Sequence, residues 1–266
     1  MSLGTGPGER EVRYIGIDYS GAATATSGLP GLRVFEALGG SEPAEARPAA
    51  LASRHWSRKA AAQWLASRLA EDVQAIVGID HGFSFPEAYF ERHGMTRDWD
   101  VFLDDFCAHW PTGAEDVSVR AVRQGLAGTA ASRPGDSRWR RLCERRMRGT
   151  KSVFHFDVQG QVATSTHAGL PWLRGLRRSA RHVHFWPFDG WIPSEGASVV
   201  AEVFPSLWRA RYPAEGRTAD QQDAYAVCRW LQACHSSGQW GRCLNPELTA
   251  AERRTAGFEG WILGVP

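Results

Sequence analysis

Three acidic residues of this 266-residue sequence stand where an acid is costly. Asp18 closes VRYIGID (residues 12–18), Asp80 closes QAIVGID (residues 74–80), and Glu202 lies within SVVAEVFP (residues 198–205). Each is the lone carboxylate of a short, apolar, β-branched run. A charge in such a run has to be paired, hydrogen-bonded or bound to a cation. Two further acids, Asp220 and Asp223 in DQQDAYA, are spaced i, i+3 and so share one helical face. Brought together, these five carboxylates repel one another unless a cation joins them. They match the oxygen donors that hard divalent ions take, so the implied cofactor is Mg²⁺ or Mn²⁺. Two such ions about 3.5–4 Å apart activate a water and stabilise the leaving oxygen of a phosphodiester. Taken singly, each acid also reads as a helix cap, a turn former or half of an ion pair, and Asp220 as a first-turn acid complementing the helix dipole. The recurrence of three strand acids and a helical pair points to metal-dependent phosphodiester hydrolysis.

The elements that must position these acids follow from local pattern. VRYIGID and QAIVGID read as buried strands, and SVVAEVFP as a third. After Asp18, the Gly-Leu-Pro-Gly turn of SGAATATSGLPGLRVFEAL suits a meander of two more strands. Gly39 to Pro48 reads as a surface loop. His55 to Asp72 is amphipathic, with Trp56, Ala60, Trp64, Leu65 and Leu69 on one stripe, and predicts a helix. Strand, helix and strand in that order favour parallel pairing in an α/β sheet. Residues 86–180 read as a largely helical insertion, with KSVFHFDV as an extended piece and GLPWLRGLRRSA as a helix. Thr218 to His235 predicts a helix with Ala224, Val227, Cys228 and Leu231 on its apolar face. A short helix from Pro246 and the apolar tail FEGWILGVP close the chain, with Glu259 and Trp261 packing structurally. Residues 12–266 thus read as a single domain.

Composition bounds the partners. Apolar residues are 43 % and charged residues 23 %, ordinary for a globular chain, and the formal charge of +2 confines any basic surface to a local patch. One run, Ser137 to Lys151, carries Arg138, Arg140, Arg141, Arg145, Arg146, Arg148 and Lys151. A second surrounds Arg174, Arg177, Arg178 and Arg181. Either suits a nucleic-acid backbone, with Trp139 and Trp172 placed to stack bases; the plainer reading is solvated helix faces with the tryptophans buried. Arg138, Arg141, Arg145, Arg148 and Lys151 are the candidate contacts to DNA or RNA. Ser20 and Gly21 after Asp18 suit a phosphate-facing turn or a plain strand reversal, and His81 beside Asp80 reads equally as an accessory site residue or a turn cap. Five Cys without a CxxC pair argue against a zinc site or a disulfide framework and fit a reducing, cytoplasmic setting. No apolar run is long enough to span a membrane. Residues 1–11 lack the apolar stretch of a signal peptide and read as a disordered start.

IGIDYSGA, VGIDHGFSFP, AEVFPSLW, DQQDAYA and the terminal EGWI together resemble the domain of unknown function 429 family, described as predicted RNase H-like nucleases. The resemblance runs from about Tyr14 to Val265 and is loosest over residues 90–150. It implies a ribonuclease H-like α/β fold: a mixed five-stranded sheet, flanked by helices, with the acids at its centre. By motif, Asp18, Asp80, Glu202 and Asp223 fall on the family's acidic positions, and the DxxDA spacing also resembles the closing helix of Holliday-junction resolvases. Asp18 would then bridge two ions, Asp80 and Glu202 complete their shells, and Asp223 hold the second ion or orient the water. One departure is local. The family's second strand motif runs Ile-Asp-x-Pro-x-Gly, whereas His81, Gly82 and Phe83 follow Asp80 here and proline arrives only at Pro86. Two alternatives accompany this reading. One is a phosphotransferase of the actin and sugar-kinase type, which normally needs two such domains; the other is a catalytically silent nucleic-acid-binding module.

Overall fold

The structure is a computed structural model that describes residues 11–49, 54–158 and 160–266. The expected disordered start therefore lies, but for Glu11, outside the described residues. Among the described residues, six strands form one mixed sheet: β1 (Val12–Asp18), β2 (Arg33–Leu38), β3 (Ala44–Glu45), β4 (Gln74–Asp80), β5 (His184–Trp186) and β6 (Val199–Glu202). Their spatial order is β3-β2-β1-β4-β6-β5. β1 runs antiparallel to β2, and β2 to β3, whereas β1, β4, β6 and β5 are mutually parallel. The expectation of five strands is corrected to six. HFW of β5 is too short to carry a period-2 signal, and β3 is a two-residue pairing inside the segment expected to be loop.

Helix α1 (Arg58–Leu69) starts where Ser57 caps it by accepting from the Ala60 amide. Between β4 and β5 the insertion is helical as expected, but mostly in short pieces: α2 (Glu87–Arg92), α3 (Trp99–His109), α4 (Val119–Arg123), α5 (Leu142–Arg146) and the longer α6 (Ala163–Ser179). KSVFHFDV forms turns rather than an extended piece. After β6 come α7 (Ala219–Ser236), α8 (Trp240–Cys243) and α9 (Ala250–Glu259). A reciprocal capping box, Thr218 with Gln221, fixes the start of α7. No helix among the described residues is long and apolar enough to cross a membrane.

Alternation along the strands divides the core in two. Ile15, Ile17, Val77, Ile79 and Val200 face α1, α3 and α6, where Leu65, Phe102, Phe106 and Leu173 close one apolar layer. Tyr14, Ile76, Val199 and Ala201 face α7 and the C-terminal tail, where Val227, Leu231, Trp261 and Leu263 close the other. The glycines of the two Gly-Ile-Asp segments explain how closely α7 approaches. A Cβ on Gly16 would stand 2.2 Å from the Ala224 carbonyl oxygen, and one on Gly78 would stand 2.7 Å from Val227 Cγ1. Only bare backbone lets α7 rest directly on β1 and β4.

Candidate active site

The same alternation dictates where the acids point. Asp18 continues the row Tyr14–Gly16, and Asp80 the row Ile76–Gly78, so both lie on the α7 face. In register they are direct partners across the parallel pair, on strands about 4.8 Å apart. Asp223 precedes Ala224, the residue held against Gly16, so the seat of α7 on the glycines brings the third carboxylate to the other two. Asp220, one turn earlier, is exposed at the start of α7.

The electrostatics of this group are unfavourable as it stands. Burial holds the Asp18 carboxyl well above the usual carboxylate range, and Asp80, Asp223 and Asp220 push it further. Asp80 is raised by burial, then by Asp223 and Glu202. Asp223 is raised by burial and by Asp220. Arg209 works against all three shifts. It donates to Asp223 Oδ2 at 3.2 Å, while Asp223 Oδ1 is buried without a partner.

Glu202 belongs to a different arrangement. Its strand partner on β4 is Ile79, not Asp80, so it leaves the sheet on the face of Val200, opposite α7. Its carboxylate is 4 % exposed. It accepts from both terminal nitrogens of Arg141, at 2.7 and 2.5 Å, and from the Phe83 amide at 2.9 Å. Arg141, 1 % exposed, also holds Glu144 through Nε at 2.8 Å. Glu259 sits beside this pair, accepting from the amides of Glu87 and Leu142 and so tying the starts of α2 and α5 to the tail. Arg141 as a nucleic-acid contact is thereby corrected. Its guanidinium is buried between two carboxylates, and α5 is too short to present the basic run as one helical face.

All five acids nevertheless line one cleft of about 680 Å³. The loops that follow Asp18 and Asp80 both dock on the first turn of α6. A Cβ on Gly21 would meet the Thr164 carbonyl at 2.2 Å, and the Gly82 amide donates to Thr166 Oγ1 at 2.9 Å. A Cβ on Gly82 would stand 2.9 Å from Thr166 Oγ1 and 2.9 Å from Val153 Cγ1, which is why no side chain follows His81. Ser20 lines the cleft, and buried Arg58 at the start of α1 donates to the Ala22 carbonyl at 2.6 Å to fix that loop. His81 is buried under Gly169, donates Nδ1–H to the Gly82 carbonyl, and is pushed down to about 4 by burial, so it stays neutral near pH 7.

The remaining basic residues divide. Arg138, Arg145 and Arg148 are exposed, the first paired with Asp136 and the second donating to the Arg140 carbonyl. Lys151 is half-buried on the cleft wall. In the second run, Arg174 and Arg178 pair with Asp104, and Arg177 with Asp100 and Asp189, which ties α6 to α3 rather than leaving an open basic track. Trp139 packs edge-on against Phe154, and Trp172 is half-buried with its indole nitrogen enclosed.

Sequence reasoning missed Arg209. It lies in a 3-10 turn after β6, and only the fold carries it back over the acids. The donor set of Asp18, Asp80 and Asp223 suits a hard divalent ion, and the enclosed, unpartnered Asp223 Oδ1 is an oxygen that a cation would satisfy. As they stand, no three His, Cys, Asp or Glu side chains among the described residues are arranged to grip a metal. Fold and site thus define an α/β chain with a crowded carboxylate group at the C-terminal edge of its central parallel strands. Searches against protein-family models, curated proteins and solved structures find no match to the chain.

Proposed function

We propose that this chain is a metal-dependent phosphodiesterase of the RNase H-like type, a nuclease acting on DNA or RNA with Mg²⁺ or Mn²⁺. The observation that carries this reading is the pairing of Asp18 with Asp80 in register on the α7 face, with Asp223 delivered to them by α7. The sheet supports it as well. An antiparallel β1-β2-β3 meander, parallel β4 and β6 on the other side of β1, and a closing helix across β1 are what an RNase H-like reading expects, with β5 as an additional edge strand.

Asp18, Asp80 and Asp223 would hold the ion, which when bound supplies Lewis-acid polarisation of a phosphoryl oxygen. Asp220, exposed one turn away, adds negative potential at the mouth. Glu202 takes a different role from the one its motif suggests. Both its oxygens are occupied by Arg141, and the Phe83 amide shares one of them. It therefore positions the chain leaving β4, and with it Asp80. Lys151 on the cleft wall and Arg138, Arg145 and Arg148 outside it would receive backbone phosphates. A cleft of about 680 Å³ suits a nucleotide or a single strand entering end-on rather than an undistorted duplex.

The test is cleavage of labelled single- and double-stranded DNA and RNA with Mn²⁺, beside Asp80→Asn. The reading expects metal-dependent cleavage that falls at least about a hundredfold in the variant, the scale of losing a group that stabilises developing charge. A wild-type protein that binds nucleic acid but neither binds Mn²⁺ nor cleaves is instead a silent binding module.

A further inference from the structure

Among the described residues, Arg209 is the cation that opposes the upward pKa shifts of Asp18, Asp80 and Asp223 alike. It is built as an arm on a fixed base. Its carbonyl accepts from Gln222 Nε2 at 3.3 Å, and that same nitrogen donates to the Tyr212 carbonyl at 2.8 Å. Gln222 is buried in α7, directly before Asp223. The Arg209 backbone is therefore locked to the helix that carries the acid. Its side chain is 48 % exposed and reaches Asp223 through a single bond of 3.2 Å. A structural pair would be enclosed and bidentate, as Arg141 is with Glu202; this one is open and singly bonded.

We propose that Arg209 is the built-in counter-ion of the acidic group, displaced from Asp223 when a divalent cation enters and then presented to a phosphate of the substrate. The inference rests on the metal-dependent reading given above. Two positive charges cannot share Asp223 without mutual repulsion, so metal and guanidinium compete for it. Arg209 lines the cleft while paired with Asp223, so a guanidinium released there has a substrate phosphate as its matching partner. Arg209 is thus a positioning residue in the empty site and a substrate-binding residue in the loaded one.

The experiment compares wild type, Arg209→Gln and Arg209→Lys by calorimetric titration with Mn²⁺ at pH 8, with thermal melts confirming that each variant folds. Arg209→Gln should bind Mn²⁺ about tenfold more tightly, the scale set by losing one close like charge, and Arg209→Lys should stay near wild type. Affinity for a fluorescent single-stranded oligonucleotide is then measured with and without non-reactive Ca²⁺. Wild type should gain affinity on loading, and Arg209→Gln should lose most of that gain. Equal Mn²⁺ affinity in wild type and Arg209→Gln overturns the counter-ion role while leaving the metal site intact. An undiminished Ca²⁺-induced gain in Arg209→Gln overturns the hand-over to phosphate. If wild type takes up no Mn²⁺ at all, the metal reading itself fails, and this inference with it.

Discussion

Two groups of carboxylates, one lining the cleft and one reaching from its wall into the core, are treated in opposite ways. Glu202, Glu144 and Glu259 are buried and satisfied, the first two by Arg141 and the third by two backbone amides. Asp18, Asp80 and Asp223 repel one another, and among the described residues the cation paired with this group is the half-exposed Arg209, which reaches Asp223. Both groups are costly to desolvate. Only the first has its cost offset inside the fold, by close pairing and a full set of hydrogen bonds. Buried acids are therefore not alike. A satisfied set holds segments together, and an unsatisfied set retained beside it marks where something from outside is received.

The contrast breaks most visibly at Arg141. Arg141→Met leaves Glu202 and Glu144 buried without a counter-charge and should destabilise by about 3–5 kcal/mol in urea unfolding. Replacing all three by apolar residues of similar size (Arg141→Met, Glu144→Leu, Glu202→Met) should recover most of that loss. A single variant as stable as wild type would mean that this group is not the anchor described here.

Besides the carboxylates, two buried histidines, His81 and His167, shape the pH dependence of stability. His167 is fully buried among Phe85, Phe106, Trp110 and Phe156, donates Nδ1–H to the Ala163 carbonyl, and is pushed down to about 3 by burial. Its folded value lies below the ordinary 6.5, so the unfolded chain binds the proton first as pH falls. Its contribution to stability is present above about pH 6.5 and is lost on acidification, by about 1.4 kcal/mol per pH unit down to its folded value. His167→Phe should flatten the acid limb of a stability–pH curve by that slope. An unchanged limb would show that His167 is not what drives it.

The seat of α7 comes next. Gly78→Ala places a methyl against Val227 and Val203, and should cost about 1–3 kcal/mol by overpacking. By lifting Asp223 from its neighbours it should also lower Mn²⁺ affinity. A destabilised variant with unaltered Mn²⁺ affinity would separate the glycine from the site.

The smallest effect has the most informative sign. Asp18→Asn removes one of the mutually repelling carboxylates, so without divalent ions it should melt at or slightly above wild type, by about 1 kcal/mol or less, and should lose most of the Mn²⁺-induced rise. Asp220→Asn, at the exposed start of α7, should keep more of that rise than Asp223→Asn. The satisfied group predicts the reverse for Glu202→Gln, which weakens the pairing with Arg141 and should lower the melting temperature whether or not metal is present. Should Asp18→Asn also fall in the metal-free state, the two groups would be of one kind.

Local pattern alone determined the strands VRYIGID and QAIVGID to the residue, the parallel relation between them, the helix that closes the sheet, and the acids themselves. These follow from short-range facts: β-branched runs, helical periodicity, and the cost of a lone charge at an apolar strand end. Tertiary structure decided how those acids divide. Glu202 shares the strand-acid pattern of Asp80, but its register opposite Ile79 turns it to the other face of the sheet, and register is set by pairing, not by any residue nearby in sequence. Arg141 looks like one of seven equivalent basic residues in its run. Packing alone selects it to be buried, because it lies where α5 meets β6 and the tail, partners 61 and 118 positions away. Arg209 carries no motif and acquires its place over the acids only when the turn after β6 folds back on α7. The two Gly-Ile-Asp segments join the levels. The sequence presents a glycine two residues before each aspartate, and only the approach of α7 shows why no side chain can stand there.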